Sequence, residues 1–408
     1  MRENLQQLAE QWVSEFNKYL SDVVELRKQI HSSPFVSGEE QPTTDLMIET
    51  MSVRLEPVAQ TGAVGRIGPT EGASIGIRGE LDALPVTEET GVEWSSTNDA
   101  MHACGHDVHL AALAGVIRAA KNLDLPYGLV PILQPREETY PSGALDIAES
   151  GKLQQLGVRH VIGAHVHPSI PTGAVAAGSG FVNAAAGEIA ISVTGKGGHG
   201  AYPHNGCDAA VPTAQIAVGI SEVVRRIADP MSPALVSIGT IAVGQGAANV
   251  LPRSGRIFAT VRSTTSAINE HIVEAIRTMA TGIATGYGCT VNVEYKPGEP
   301  ELVNAEVLSE KFDAYAASLG IANAETMRSM GADDFSFYGE ICPSLMCFVG
   351  VADSDNETAS LHDPSFLPSD EALSNVGKTM IAGYIAAAEA ISESEGQPIS
   401  PHRLAVSK

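Results

Sequence analysis

The segment Met101-His-Ala-Cys-Gly-His-Asp holds the residues with the clearest chemical potential in this 408-residue chain. Cys104 and His106 offer a thiolate and an imidazole, both common ligands of zinc and other transition metals. The pattern predicts a tight turn entering a helix, whose dipole would lower the pKa of the thiol. Two other interpretations stay open at this point, a buried cysteine beside a capping histidine and a Cys–His nucleophilic pair.

Further polar groups occur where predicted strands end. They are Asp82 after the run 73–78, Glu137 and Glu138 after 129–133, His165 after 160–164, and His362 in a loop beyond 344–349. In open α/β sheets, sites form outside the carboxyl ends of the strands. We therefore expect these groups to converge with Cys104 and His106.

The number of candidate ligands indicates a centre of two metals. Five residues carry metal-binding atoms: Cys104, His106, Glu138, His165 and His362. Five ligands exceed a four-coordinate structural zinc site and suit two metals that share a bridging group. Of the paired acids, one can bind metal while Glu137 acts as general base on the bound water. Taken singly, the acid pair could be a solvated loop and His165 a strand-end histidine bonded to backbone.

The elements that would position these groups follow two patterns. Residues 73–180 alternate short apolar runs with helices, which predicts an α/β fold with a doubly wound, largely parallel mixed sheet. Residues 187–295 follow the order β-α-β-β-α-β of a ferredoxin-like split βαβ sandwich. We therefore predict a catalytic domain formed by residues 1–182 and 298–408, interrupted by an inserted α+β domain at 183–297.

Taken in order, these segments resemble the M20 metallopeptidase superfamily, specifically the amidohydrolase branch with hippurate hydrolases and indole-acetyl-amino-acid hydrolases. The resemblance covers nearly the whole chain, and the run 101–107 is its most specific part. The other matching segments are Arg27-x-x-x-His31, Asp82-Ala-Leu-Pro, Gln134-Pro-x-Glu-Glu138, His165-Val, Gly195-Lys-Gly-Gly-His199, Asn249-Val-x-Pro252, Thr260-Val-Arg262, Asp334-Phe and Leu361-His362.

The resemblance implies a specific set of metal ligands and supporting groups. Two divalent ions per subunit, expected to be zinc with manganese, cobalt or nickel as alternatives, would be bound by Cys104, His106, Glu138, His165 and His362. Glu137 would be the catalytic base on a water that bridges the metals. Asp82 would orient a ligand or the base.

The resemblance also assigns roles to the inserted domain, which would be a lid and a dimerisation domain. There His199 would help to polarise the scissile carbonyl, often in the site of the partner subunit of a homodimer. Asn249 and Arg262 would hold the carboxylate of the substrate, a task that suits the planar fork of arginine.

The activity implied is hydrolysis of the amide bond of an N-acyl amino acid to a carboxylic acid and a free amino acid. A dipeptidase or aminoacylase of the same superfamily and a non-catalytic metal-binding relative are the alternatives. Several positions depart from the usual pattern, among them positions 80 and 333. Glu80 replaces an Asp two residues before Asp82, and Asp333 replaces a Glu before Asp334.

Composition excludes several other classes of function. The chain has 25 Lys+Arg and 48 Asp+Glu, a formal net charge of −23, and 5% aromatic residues. Such a chain repels phosphate backbones and anionic membranes, so we expect neither nucleic acid nor a membrane as partner. Five scattered cysteines without a Cys-x-x-Cys pair, and no apolar run near the ~18–20 residues that span a bilayer, predict a cytoplasmic protein.

Overall fold

A computed structural model of the chain describes residues 2–244, 246–353 and 358–395. Its helices are α1 (Arg2–Asn17), α2 (Leu20–Ser32), α3 (Gln41–Met51), α4 (His106–Ala120), α5 (Gly143–Glu149), α6 (Lys152–Gln155), α7 (Ala210–Ile227), α8 (Ser266–Gly286), α9 (Glu306–Ser318), α10 (Ser336–Gly339) and α11 (Glu371–Glu395). A 3-10 helix spans Pro203–Asn205. Among the residues described, no helix has the length and apolar character needed to cross a membrane.

The strands range from 2 to 14 residues in length. In chain order they are β1 (Glu56–Val58), β2 (Gly62–Val64), β3 (Ser74–Glu80), β4 (Gly128–Gln134), β5 (Val158–Pro171), β6 (Ala174–Ala176), β7 (Gly180–Asn183), β8 (Ala185–Thr194), β9 (Gly198–His199), β10 (Ala234–Val243), β11 (Val250–Leu251), β12 (Ser254–Ser263), β13 (Thr290–Pro297), β14 (Leu302–Asn304), β15 (Ala322–Asn323) and β16 (Ser344–Ala352).

The described residues divide into two compact units. The first unit contains residues 2–180, 303–327, 337–353 and 358–395. The second unit contains residues 181–302, apart from 245, together with the short segment 328–336. The chain therefore leaves the first unit twice and returns to it twice.

An eight-stranded mixed sheet forms the centre of the first unit, in the order β1-β2-β4-β3-β5-β16-β6-β15. The neighbours β4, β3, β5 and β16 run parallel, whereas β1, β2 and β4 form antiparallel pairs at one side. Every residue of β3 and β4 is buried, as is typical of parallel strands covered on both faces. The predicted α/β fold with a mixed, largely parallel sheet is confirmed.

Helices α4 and α11 contribute much of the core of the first unit. All residues of α4 except Arg118 are buried, and Leu110 and Leu113 join the apolar cluster that also contains residues of β3, β5 and β16. Helix α11 extends well beyond the apolar stretch 380–391 at both ends. Its burial on nearly all sides explains its apolar composition.

The carboxyl ends of the parallel strands lie along one edge of the sheet, where Glu80 of β3 pairs in register with Gln134 of β4. The predicted end of β5 near residue 164 is wrong. Pairing with β16 continues through His165 and His167, so β5 extends to Pro171. His165 therefore lies within a strand instead of following one.

Gly105 forms the entry to α4 and has a φ of +84°, in the left-handed region that favours glycine. A Cβ atom added here would lie 2.4 Å from Cγ2 of Val166 on β5. Glycine is therefore required twice over, by the backbone conformation and by the close approach of β5. This turn places Cys104 and His106 on either side of the helix start.

The second unit is built on a four-stranded antiparallel sheet in the order β10-β12-β8-β13. Burial alternates along β8 and β12, so that one face of the sheet carries the core. Apolar residues of α7 and α8, including Ile216, Ile272 and Ile276, complete that core. The chain order of these elements is the predicted β-α-β-β-α-β.

Candidate metal centre

Sulfur, carboxylate and imidazole groups converge at the carboxyl edge of the sheet in the first unit. The potential ligand atoms of Cys104, Glu138 and His362 all lie within 4.8 Å of one another. The Nε2 atom of His165 lies 3.5 Å from the Cys104 Sγ atom. Four residues that are far apart in the sequence thus share one small volume, as the sequence predicts.

His106 and Glu137 extend this cluster on the side of Glu138. Ligand atoms of these three residues also lie within 4.8 Å of one another. The distance from His106 Nε2 to Glu137 Oε2 is 3.8 Å. The side chain of Glu137 is 14% exposed, against 1% for His106, so Glu137 is the member of this pair that solvent can reach.

The two buried histidines have the orientation that metal-binding histidines adopt. His106 donates its Nδ1 hydrogen to the backbone carbonyl of Asp82 at 2.8 Å, and His165 donates its Nδ1 hydrogen to the carbonyl of Val166 at 2.7 Å. In a neutral ring, a proton held on Nδ1 leaves the Nε2 lone pair available as a metal ligand. Both Nε2 atoms face the cluster.

Two buried polar atoms of the cluster have no hydrogen-bond partner among the described residues. They are His106 Nε2 and Asp82 Oδ1. A buried polar atom without a partner costs about 1–3 kcal/mol, so such atoms are uncommon unless an ion or water completes them. A divalent cation fits this set of donors, because thiolate, imidazole and carboxylate together suit zinc and its first-row neighbours.

The electrostatics of Cys104 differ from the expectation drawn from the helix start. Burial raises the pKa of the thiol well above its usual value, and the nearby charges of Glu138 and Glu137 raise it further. A cation is therefore the counter-charge that would favour the thiolate at this position.

Glu138 and His362 form a polarised pair at the outer side of the cluster, with Nε2 and Oε1 3.4 Å apart. The hydrogen bond from His362 and the charge of His106 lower the pKa of Glu138, although burial opposes this as the largest single effect. The same hydrogen bond raises the pKa of His362, which is about half exposed. His362 has a φ of +67°, and its backbone N–H donates to the carbonyl of Ala103 at 2.8 Å. A non-glycine residue in this conformation is often functional.

Asp82 connects the loops that carry the cluster. Its Oδ2 atom accepts hydrogen bonds from Ser37 Oγ at 2.7 Å and from the backbone N–H of Glu138 at 3.0 Å. Its carbonyl holds His106, and its Oδ1 lies 3.8 Å from Nδ1 of the same ring. Asp82 is fully buried, and burial raises its pKa. It therefore contacts the cluster without being one of the groups in its centre.

The remaining predicted site residues lie in the second unit. His199 on β9 is exposed and pairs with Val250 of β11, and the backbone N–H of the following Gly200 donates to the carbonyl of Asn249 at 2.7 Å. His199 therefore lies in a short β-ribbon, and Asn249 directly precedes the second strand of that ribbon. Arg262 lies separately on β12, where its Nη1 donates to the carbonyl of Met330 at 3.0 Å.

Comparison with known proteins places this arrangement in a family. The profile of Peptidase family M20/M25/M40 matches residues 76–386, which is most of the chain. This chain belongs to the M20 family. The predicted resemblance is confirmed, and the chain is a metal-dependent amidohydrolase.

Three relatives of this M20 chain illustrate the similarity. N-acetyldiaminopimelate deacetylase of Shouchella clausii is 31% identical over 370 residues, covering 89% of this chain and 97% of the relative. The protein of that name from Bacillus cytotoxicus is 30% identical over 362 residues, covering 87% and 95%. The crystal structure of Bacillus subtilis YXEP protein, described as a dinuclear metal binding peptidase from the M20 family, has a TM-score of 0.80 at 27% identity, covering 91% of this chain and 99% of that chain.

One histidine of the cluster region was not predicted from the M20 motifs. Ligand atoms of His109, Glu80, His106 and His165 lie within 4.8 Å of one another, and all four residues are buried. The sequence does carry a signal, because His109 follows His106 by three residues and so shares its face of α4. Its Nδ1 atom lies 3.1 Å from a carboxylate oxygen of Glu80, so its ring has a different set of partners from that of His106.

Proposed function

We propose that this chain is a two-metal hydrolase that cleaves the amide bond of N-acyl amino acids. The main support is the orientation of His106 and His165. Both rings donate their Nδ1 hydrogens to backbone carbonyls. Their Nε2 atoms point toward the cluster that contains Cys104, Glu137 and Glu138. Relatives named for deacetylation of an N-acetyl amino acid, and a neighbour named as a dinuclear peptidase, support this function.

Five side chains would hold the two ions: Cys104, His106, Glu138, His165 and His362. When bound, the ions would make water more acidic and polarise the scissile carbonyl. Zinc is favoured by the thiolate and imidazoles, with manganese, cobalt and nickel as alternatives set by supply. Burial keeps the ligands of this set in place, since four of the five have side chains that are 10% exposed or less.

Glu137 is the proposed general base. Its carboxylate lies 3.8 Å from His106 Nε2, and its side chain is 14% exposed, so it can reach an attacking water beside the ligands. It would take one proton from that water and give it to the nitrogen of the leaving amino acid, which balances the reaction. Asp82 would keep the backbone of Glu138 and the ring of His106 in position.

Residues of the second unit would bind the substrate. His199 would donate a hydrogen bond to the oxygen of the carbonyl under attack, and Asn249 and Arg262 would hold the substrate carboxylate. A guanidinium has five N–H donors, so Arg262 can bind Met330 and a carboxylate together. A cationic side chain is valuable here because the chain as a whole has a net charge of −23 and would otherwise repel the substrate.

A second copy of this chain is the proposed partner, bound through the second unit. Strand β10 lies at an edge of its sheet, and Val218 on α7 and Ile241 on β10 are 79% and 53% exposed. An exposed edge strand with apolar neighbours is a common site of association. Light scattering at several protein concentrations tests the dimer, and a monomer at every concentration would contradict it.

We also propose that the protein is cytoplasmic.

A hydrolysis screen tests the function. N-acetyl and N-benzoyl amino acids are compared with dipeptides of the same amino acids, using metal-free enzyme and enzyme reconstituted with Zn²⁺, Mn²⁺ or Co²⁺. We expect metal-dependent release of the amino acid from the N-acyl panel. Preference for dipeptides would replace this function by a dipeptidase, and metal binding without any turnover would indicate a non-catalytic relative.

A further inference from the structure

A chain of buried polar side chains lies behind the metal cluster, within the first unit. Tyr338 Oη and Arg78 Nε both donate to Gln134 Oε1, each at 2.9 Å. Arg78 Nη1 forms an ion pair with Glu80 Oε1, and Glu80 Oε2 accepts from His109 Nδ1 at 3.1 Å. All five side chains are nearly or completely buried, so this network lies outside the reach of solvent.

His109 is the last side chain of this network, and it contacts the backbone of Val166, the residue after the proposed ligand His165. Its Nε2 atom accepts the backbone N–H of Val166 at 2.9 Å, while Nδ1 donates to Glu80. Both ring nitrogens are thus used, and His109 has no lone pair left for a metal although it lies near His106 and His165. The position of His109 beside the ligands calls for another explanation than metal binding.

Val166 is the link between His109 and the metal centre. Its N–H is held by His109, and its carbonyl receives the Nδ1 hydrogen of His165 at 2.7 Å. A shift in the backbone of Val166 would therefore rotate the His165 ring, whose Nε2 lies 3.5 Å from Cys104 Sγ. Through these two contacts of Val166, the position of His109 determines the orientation of His165.

Glu80 determines which nitrogen of the His109 ring carries the proton. The guanidinium of Arg78 forms an ion pair with Glu80 Oε1, and this adjacent cation favours the ionised form of the buried carboxylate. An ionised carboxylate can only accept, so it keeps the proton of His109 on Nδ1 and the acceptor lone pair on Nε2. Nε2 is then free to accept from Val166.

We infer that Glu80 and His109 are positioning residues that fix His165 as a ligand of one metal ion. This inference rests on the proposed metal centre but is independent of the substrate. Partners that orient a ligand typically change metal affinity by about 10–100-fold when removed. Glu80 is an acid one methylene longer than the Asp that the M20 resemblance leads one to expect, and its two carboxylate oxygens contact Arg78 and His109 separately.

The test measures metal affinity and coordination instead of turnover. In the full-length enzyme, His109→Leu is compared with the control His160→Leu. His160 is also a buried histidine, but it lies on β5, and its Nδ1 contacts the Pro343 carbonyl at 3.2 Å. Zinc affinity is measured by competition with a chelator, and the ligand field by the visible spectrum of the Co²⁺ form. We expect His109→Leu to weaken one of the two binding steps about 10–100-fold and to alter the spectrum. His160→Leu should keep both at wild-type values.

Two Glu80 variants give a second measurement in case His109→Leu does not fold. Glu80→Asp retains the charge and should keep more affinity than Glu80→Gln, which loses control of the proton on His109. Wild-type affinity and spectrum in His109→Leu, or equal losses in His160→Leu, would overturn the positioning role. If His109→Leu does not fold, equal affinities of the two Glu80 variants would overturn it. Absence of tight metal binding in the wild type would instead overturn the metal centre itself.

Discussion

Arg27 Nε lies 3.0 Å from Asp107 Oδ2, and both side chains are only 1% exposed. This buried ion pair joins α2 to the first turn of α4, next to His106. His31 Nδ1 lies 3.0 Å from the same Asp107 oxygen, and Arg27 Nη1 lies 3.0 Å from Asp370. The Arg27-x-x-x-His31 motif therefore anchors the first turn of α4, which carries the proposed ligand His106.

Replacing Arg27 by Leu should destabilise the protein strongly. It would leave Asp107 buried with one cationic partner fewer, and loss of one partner from a buried pair costs about 3–5 kcal/mol. Urea unfolding followed by circular dichroism measures this change. Lys28→Leu, at the next position, removes a solvent-exposed pair with Glu25 and serves as the matched control, with little effect expected. Equal midpoints for the two variants would contradict a stabilising role of the buried pair.

Adjacent substitutions at the acid pair should separate metal binding from catalysis. Glu137→Gln should retain both metal ions and lose about 10²–10⁴-fold in kcat, because it removes the proposed base. Glu138→Gln should lose metal, since it removes a ligand. Metal content by mass spectrometry and turnover are measured on the same samples. Full activity in Glu137→Gln would exclude it as the base.

Metal removal should distinguish a metal enzyme from a cysteine hydrolase. A chelator should abolish activity, and Zn²⁺, Mn²⁺ or Co²⁺ should restore it. Burial and two carboxylates raise the pKa of Cys104, so its thiol is a poor nucleophile in the absence of a cation. Activity that survives complete chelation but is lost on alkylation of Cys104 would favour the nucleophilic cysteine instead.

Arg262 should contribute to substrate binding more than to turnover. Arg262→Ala should raise KM for N-acyl amino acids about 10–100-fold, the effect of losing a hydrogen bond to a charged group worth about 1.5–3 kcal/mol. The matched control is a set of substrates whose carboxylate is replaced by a carboxamide. These should bind the wild type and the variant almost equally. A similar rise in KM for both sets would show that Arg262 does not contact the carboxylate.

His160 should make stability depend on pH below neutrality. Burial lowers the pKa of His160 to about 4 in the folded protein, against about 6.5 in an unfolded chain. The unfolded state therefore binds the proton first, so stability is complete above pH 6.5 and falls as the pH decreases toward 4. His160→Gln should flatten this part of the curve of urea midpoint against pH. An unchanged slope would assign the pH dependence to other groups.

Much of the cluster could be predicted from the sequence because Glu138 follows β4, and Cys104 and His106 flank the start of α4. Parallel strands bring such positions together whatever the loops between them contain. Asp82 and Glu138 follow β3 and β4 within a few residues, and the turn at Gly105 precedes α4. The fold class followed from the same alternation of strands and helices.

Other features depend on contacts that no local pattern records. His109 differs from His106 only because a backbone N–H of β5 reaches its Nε2. The extension of β5 past residue 164 requires β16 as a neighbour. The pKa of Cys104 has the opposite shift from the one expected at a helix start, because the thiol is buried and faces Glu138 and Glu137. Each of these is decided by tertiary packing.

The short segment 328–336 has a consequence for any attempt to exchange the second unit between proteins. Residues 181–302 form a nearly continuous segment that could be moved as one piece. However, Arg262 donates to the carbonyl of Met330, and Ala184 donates its N–H to the carbonyl of Gly331. An excised or grafted cassette would therefore lack a piece that the host must supply from a separate stretch of sequence. Specificity in such chimeras would have to be inherited in two parts.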